Sequence, residues 1–159
     1  MKKSNTIKYA ILIAVALIVY FVLIDIIGYG AESWLSFFNA VIVGVGLFFV
    51  IRDVYEHDKE HFEYMEGFVA GIKAGFISTT IYTIFMAIYL FEINPDLAEQ
   101  LEEQVTIAGQ GIEVALLLFI FLSGLATSIV VSLLVIPIYK QSWNTRKVRA
   151  EQEPMNDKH

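Results

Sequence analysis

The chain has no cysteine, few charged residues and no proline-rich segment among its 159 residues. The absence of cysteine excludes disulfide bonds, iron–sulfur clusters, thiol catalysis and cysteine-ligated zinc. Asp, Glu, Lys and Arg together make up 18% of the chain, whereas soluble domains average about 25%. The net charge of −6 and the lack of a basic stripe argue against a nucleic-acid partner.

Apolar residues are abundant and concentrated in blocks. They make up 57% of the chain, and the mean hydropathy is +0.62. Four blocks have the length of about 20 residues that a helix needs to span a bilayer. They cover about residues 7–27, 34–51, 68–91 and 112–137. The first block is longer than the apolar region of a signal peptide, so we interpret it as a retained helix.

These blocks predict an all-α fold, an antiparallel four-helix transmembrane bundle. Backbone groups in hydrocarbon must be paired within their own segment, which favours helices. We expect residues 1–145 to form a single four-span membrane domain. Residues 146–159 are polar and are expected to form a cytoplasmic tail.

The positive charges indicate the orientation of the bundle. All 11 Lys and Arg residues lie near the N-terminus, around the second loop or in the C-terminal tail. The first loop, 28–33, and the third loop, 92–111, contain none. Because positive residues are retained on the cytoplasmic side, we expect both termini and the 52–66 loop to be cytoplasmic.

The third loop contains a helix signal of its own. Asn94-Pro95-Asp96 supplies a capping residue, a proline for the first helical position and an acid for the positive helix end. Leucines 97 and 101 then recur at a spacing of four, with glutamates on the other faces. The pattern predicts a short extracytoplasmic amphipathic helix that lies on the outer membrane surface.

Small residues recur every four positions in spans three and four. Such rows let helix backbones approach closely, and their hydroxyls can bond across the contact. The rows indicate either packing inside this bundle or a homodimer contact, and they do not identify the neighbouring helix. The predicted helix-packing residues are Gly67, Gly71, Gly75, Gly124 and Ser128.

Three polar residues within the predicted spans are candidate functional residues. Lys73 lies one to two turns into span three, where it can extend to the cytoplasmic surface or mark an ion path. Asp25 and Asn39 have similar depths near the outer ends of spans one and two, so the first hairpin can bring them together. No span has a carboxylate or histidine at its centre, which argues against an ion-coupled transporter acting alone.

The stretch from His57 to His61 matches the inverted zinc-protease pattern H-x-x-E-H. On a helix, His57 and His61 share a face with Glu60 beside them, and this geometry can hold zinc. The short inner loop offers no closed pocket around them. We therefore interpret the stretch as solvated loop charge, with weak metal binding or pH sensing and a hydrolase as alternatives.

The region from 66 to 96 contains a set of motifs that can be compared with known families: Glu66-Gly67-Phe68, Gly71, Gly75, Ile81-Tyr82, Ile88-Tyr89 and Asn94-Pro95-Asp96. In these motifs the region resembles the bacterial four-helix membrane family called domain of unknown function 4199. The four-span layout with a charged loop after span two is also similar. The resemblance implies a multi-pass protein of the bacterial cytoplasmic (inner) membrane, with no established activity and no catalytic residues.

Three function hypotheses remain open at this stage. The leading one is a non-enzymatic membrane protein that acts through helix packing or partner contact, without a cofactor. Its partners would be the lipid bilayer and either a second copy or another membrane protein. The alternatives are a subunit of a small transporter or channel, and a metal-dependent membrane enzyme that uses His57, Glu60 and His61.

Overall fold

The computed structural model describes residues 5–57, 64–104 and 112–139, and all regular structure in these ranges is helical. Five α-helices follow one another along the chain: α1 (Thr6–Ile26), α2 (Ser36–His57), α3 (Tyr64–Ile88), α4 (Pro95–Gln104) and α5 (Ile112–Val135). Short 3-10 turns, Ser33–Leu35 and Ile136–Tyr139, precede α2 and follow α5. A π-helical turn, Tyr89–Ile93, continues α3 toward α4.

Four of these helices, α1, α2, α3 and α5, are long and apolar enough to cross a membrane. This confirms the all-α four-span prediction. Two boundaries differ from the predicted ones by four residues or more, because α2 continues to His57 and α3 already begins at Tyr64. Beyond the apolar run, α2 is stabilised by an exposed Arg52–Glu56 ion pair of 2.9 Å at the i, i+4 spacing. Apolar length alone therefore underestimates a helix that extends past the hydrocarbon.

The spanning helices form a diamond with α2 and α3 on its short diagonal. Each of these two helices contacts both α1 and α5, whereas α1 and α5 share no contact within the part of the chain that the structure describes. Within the most apolar window of each helix, the share that is buried inside the protein is 39% for α3 and only 11% for α5. Consequently α3 is the central helix, and most of α5 faces outward.

The two ends of the bundle are distinct. We call the end that holds the α1–α2 connection and α4 the hairpin end, and the opposite end the termini end. At the termini end, Asp53 of α2 accepts a hydrogen bond of 3.2 Å from the backbone N–H of Asn5, just before α1. A carboxylate in this position is stabilised by the positive end of the helix.

Helix α4 packs on the bundle through Leu97 and Ala98, and its position at the outer membrane surface stays a prediction. Asn94 caps it, because its Oδ1 accepts the Leu97 N–H at 3.3 Å. Leu97 is 3% exposed, and with Ala98 it joins the hydrophobic cluster that contains Leu90 and Leu116. These two residues therefore pack against protein, and α4 covers part of the hairpin end.

Candidate functional sites in the helix bundle

Helices α3 and α5 approach each other closely, and small residues form this contact on both sides. A Cβ atom added to Gly75 would overlap the side chain of Ser128, and one added to Gly71 would overlap Ser132. A Cβ atom on Gly124 would lie 2.6 Å from Cγ2 of Thr79. We call these six residues the small-residue interface. Gly67 is buried on the same helix, α3.

Hydroxyl groups in the small-residue interface bond within their own helices instead of across it. Ser128 Oγ donates to the Gly124 carbonyl at 2.8 Å, and the nearby Ser78 Oγ donates to the Gly75 carbonyl at 3.0 Å. Ser132 Oγ is buried and has no partner among the described residues. The contact therefore rests on close van der Waals packing.

Asp25 is the centre of a polar cluster at the hairpin end. Its Oδ2 accepts hydrogen bonds from the Tyr89 hydroxyl at 2.5 Å and from Asn94 Nδ2 at 3.3 Å. The other carboxylate oxygen lies against Gly30, where any Cβ atom would overlap it. We call Asp25, Tyr89 and Asn94 the Asp25 cluster. Because Asn94 also caps α4, the cluster ties the end of α1 to the corner between α3 and α4.

Asn39 does not join Asp25, although the similar depth of the two residues indicated that the first hairpin can bring them together. Its side chain lies beside Tyr82 of α3, and its Oδ1 is buried without a partner in the described ranges. It also lines a small pocket between α1 and α2, beside Tyr20 and Glu32. The first hairpin thus places Asp25 and Asn39 in two separate polar environments.

Lys73 lies on the exposed side of α3, away from the other helices. It is two residues, or about 3 Å of helix rise, farther from the termini end than Gly71. Gly71 in turn packs against Ser132 and lies near Ile51, which directly precedes Arg52. A lysine stem can span this depth along the apolar surface, so the ammonium group can reach the level of Arg52.

Only one residue of the histidine motif that the sequence singled out is described. His57 ends α2, and its Nδ1 donates to the Asp53 carbonyl oxygen at 2.7 Å and lies 3.7 Å from the Asp53 carboxylate. Glu60 and His61 lie outside the described residues, as does the 146–159 tail. Within the described ranges, no three His, Asp or Glu side chains are grouped as a metal site.

The sequence pattern did not identify several partners that the fold brings together. Tyr89 pairs with Asp25 across 64 positions of the chain, and Gly30 lies against the same carboxylate. Gly46 of α2 faces Ile13 of α1 at a second close contact. The sequence offered two signals for the contacts of Asp25: Gly30, which follows the first span, and Tyr89, which lies near the end of the third.

Residues 8–138 match the family described as "Protein of unknown function (DUF4199)". The chain belongs to this family. The match covers all four apolar helices, and with them it identifies an integral membrane protein of uncharacterised function. No curated protein and no solved structure matches the chain.

Proposed function

We propose that this DUF4199 protein is a non-enzymatic component of the bacterial cytoplasmic membrane that acts by contact with a second membrane protein or a second copy of itself. In this proposal both termini are cytoplasmic and the hairpin end faces outward. The distribution of Lys and Arg supports that orientation, because the described hairpin-end segments contain none.

The observation that carries the proposal is the packing of the α3–α5 contact. Ser128 is 1% exposed and Ser132 is 0% exposed, and the glycines opposite them have no room for one added carbon. A transporter or channel needs a polar path between its helices, and paths of this kind have ionisable residues. Among the described residues, no Asp, Glu, Lys, Arg or His lies buried at the centre of this bundle. This favours contact over transport.

The outward face of α5 is where we expect the partner to bind. Only 11% of its apolar window is buried by the rest of the bundle, and Leu118, Phe119 and Leu122 are each more than half exposed. Hydrophobic attraction between helices is weak in lipid, so a partner would need shape complementarity with this face.

Site-specific photo-crosslinking in the native membrane tests the proposal. A photoreactive residue at Leu122 of α5 should capture a stoichiometric partner, or a second copy, that is identified by mass. The matched control is Leu12 of α1, which is exposed to a similar degree, 65% against 61%. Absence of any stoichiometric product, together with ion flux in liposomes that contain only the purified protein, would contradict contact and favour the transporter alternative.

A further inference from the structure

Lys8 of α1 and Lys73 of α3 lie at about the same depth in the bundle. The two helices pack against each other, and both run from the termini end to the hairpin end. The ring of Phe21 on α1 contacts the rings of Phe85 and Tyr89 on α3, which fixes the relative height of the helices. Lys8 precedes Phe21 by 13 residues, and Lys73 precedes Phe85 by 12. Both lysines are therefore about 18–20 Å of helix rise from this aromatic contact.

Both lysines also point to the same side of the α1–α3 pair, the side away from α2. On α1, Ile13 packs against α2, and Lys8 is rotated from it by about 140° around the helix axis. On α3, Gly71 and Tyr82 lie beside α2, and Lys73 is rotated from each of them by about 160–180°. Because α1, α2 and α3 contact one another, these two directions lead to one outer face of the α1–α3 pair.

The surface beside the two lysines is apolar toward the hairpin end. Val15 shares the face of Lys8, Ile84 shares the face of Lys73, and each of these apolar side chains is more than half exposed. Both lysines are exposed, and neither forms an ion pair with a described carboxylate. Glu66 is on the Lys73 face of α3, but about 10 Å closer to the termini end. An anion at the depth of the lipid phosphates would stabilise both unpaired ammonium groups.

We propose that this outer face of α1 and α3 binds an anionic phospholipid, with its phosphate group between Lys8 and Lys73 and its acyl chains along Val15 and Ile84. The axes of packed helices are about 8–10 Å apart, a distance that two lysine side chains can bridge around one phosphate group. Charge complementarity selects an anionic headgroup, because the trimethylammonium group of phosphatidylcholine is repelled by the lysines. None of these residues belongs to the small-residue interface or to the α5 face, so this proposal and the proposed function are tested separately.

Native mass spectrometry of the full-length protein tests the proposal. The protein is released from detergent with equal amounts of phosphatidylglycerol and phosphatidylcholine that have the same acyl chains. The wild type should retain phosphatidylglycerol preferentially. Lys8→Gln and Lys73→Gln should each lower that preference by about fivefold, which is typical of one lysine at an anionic lipid surface. Arg52→Gln is the matched control, because Arg52 is an exposed cation of the termini end that is already paired with Glu56, and it should leave the preference unchanged.

A conservative variant completes the test. Lys73→Arg keeps the positive charge and should retain the wild-type preference for phosphatidylglycerol. If the wild type shows no preference, or if either Lys8→Gln or Lys73→Gln retains it in full, the proposal is wrong, because the two lysines would not hold one lipid. Equal losses in Arg52→Gln and the two lysine variants would also overturn it, since they would indicate the general positive charge of the termini end.

Discussion

Gly75 of α3 lies against Ser128 of α5 so closely that a single added carbon at position 75 would overlap the serine side chain. This contact lies in the middle of the small-residue interface and joins the most buried spanning helix to the least buried one. Helix α5 can therefore pack this closely on the bundle because two positions on α3, Gly71 and Gly75, have no side chain.

Gly75→Ala should destabilise the bundle by about 1–3 kcal/mol, because the added methyl group overpacks the contact. Gly44→Ala is the matched control, since a Cβ atom there meets no atom within 4 Å. Alanine at that position should be neutral or stabilise the helix by up to about 1 kcal/mol. Unfolding in mixed detergent micelles measures both variants. Equal effects of the two substitutions would show that the α3–α5 contact is not close.

Ser132→Ala should leave stability unchanged or increase it by up to about 1 kcal/mol, because the substitution removes a buried hydroxyl that has no partner in the described structure. Gly71→Ala changes the facing residue and should instead be destabilising, since the added Cβ would overlap Ser132. The same unfolding assay compares the two variants. A marked loss of stability in Ser132→Ala would indicate a hydrogen bond that the structure lacks.

The Asp25 cluster should behave as one energetic unit. Tyr89→Phe and Asp25→Ala each remove the 2.5 Å hydrogen bond, so the double variant should lose less than the sum of the two. We expect a coupling of about 1–3 kcal/mol, typical of a hydrogen bond to a charged group. Tyr29→Phe, at an exposed tyrosine of the same end, is the control and should not couple with Asp25→Ala. Additive losses for Tyr89 and Asp25 would contradict the cluster.

Much of the architecture follows from the sequence because a bilayer imposes strict rules on it. Runs of about 20 apolar residues fix the number of spans, and the recurrence of glycine every four residues on α3 indicates a close helix contact. The spacing identifies a face of α3 but not its neighbour, since any helix with small residues could pack there. The pairing of Asp25 with Tyr89 depends on the register of α1 against α3, which no local pattern encodes.

The ends of the spans were harder to predict for a physical reason. Arg52 and Glu56 are polar, yet they remain helical because an i, i+4 ion pair stabilises a helix in water. The amphipathic pattern of α4 predicts the helix correctly. It does not predict that Leu97 packs against the bundle, because an apolar helix face fits protein as well as lipid.

The orientation of the bundle has a direct test, because the chain contains no native cysteine. A single cysteine at Glu99, exposed on α4, should react with a membrane-impermeant maleimide added to intact cells. A single cysteine at His57, exposed at the end of α2, should react only after the membrane is permeabilised. The reverse pattern would show that the termini end faces outward.

The packed centre of the bundle is the central claim, and cysteine accessibility tests it most directly. Ser128→Cys and Thr79→Cys place thiols of similar size in the small-residue interface, and Ser123→Cys on the exposed side of α5 controls for reagent in lipid. We predict that a small water-soluble thiol reagent leaves all three unmodified in the membrane and modifies them after unfolding. Rapid modification of Ser128→Cys and Thr79→Cys, with Ser123→Cys unmodified, would reveal water between α3 and α5 and contradict the account.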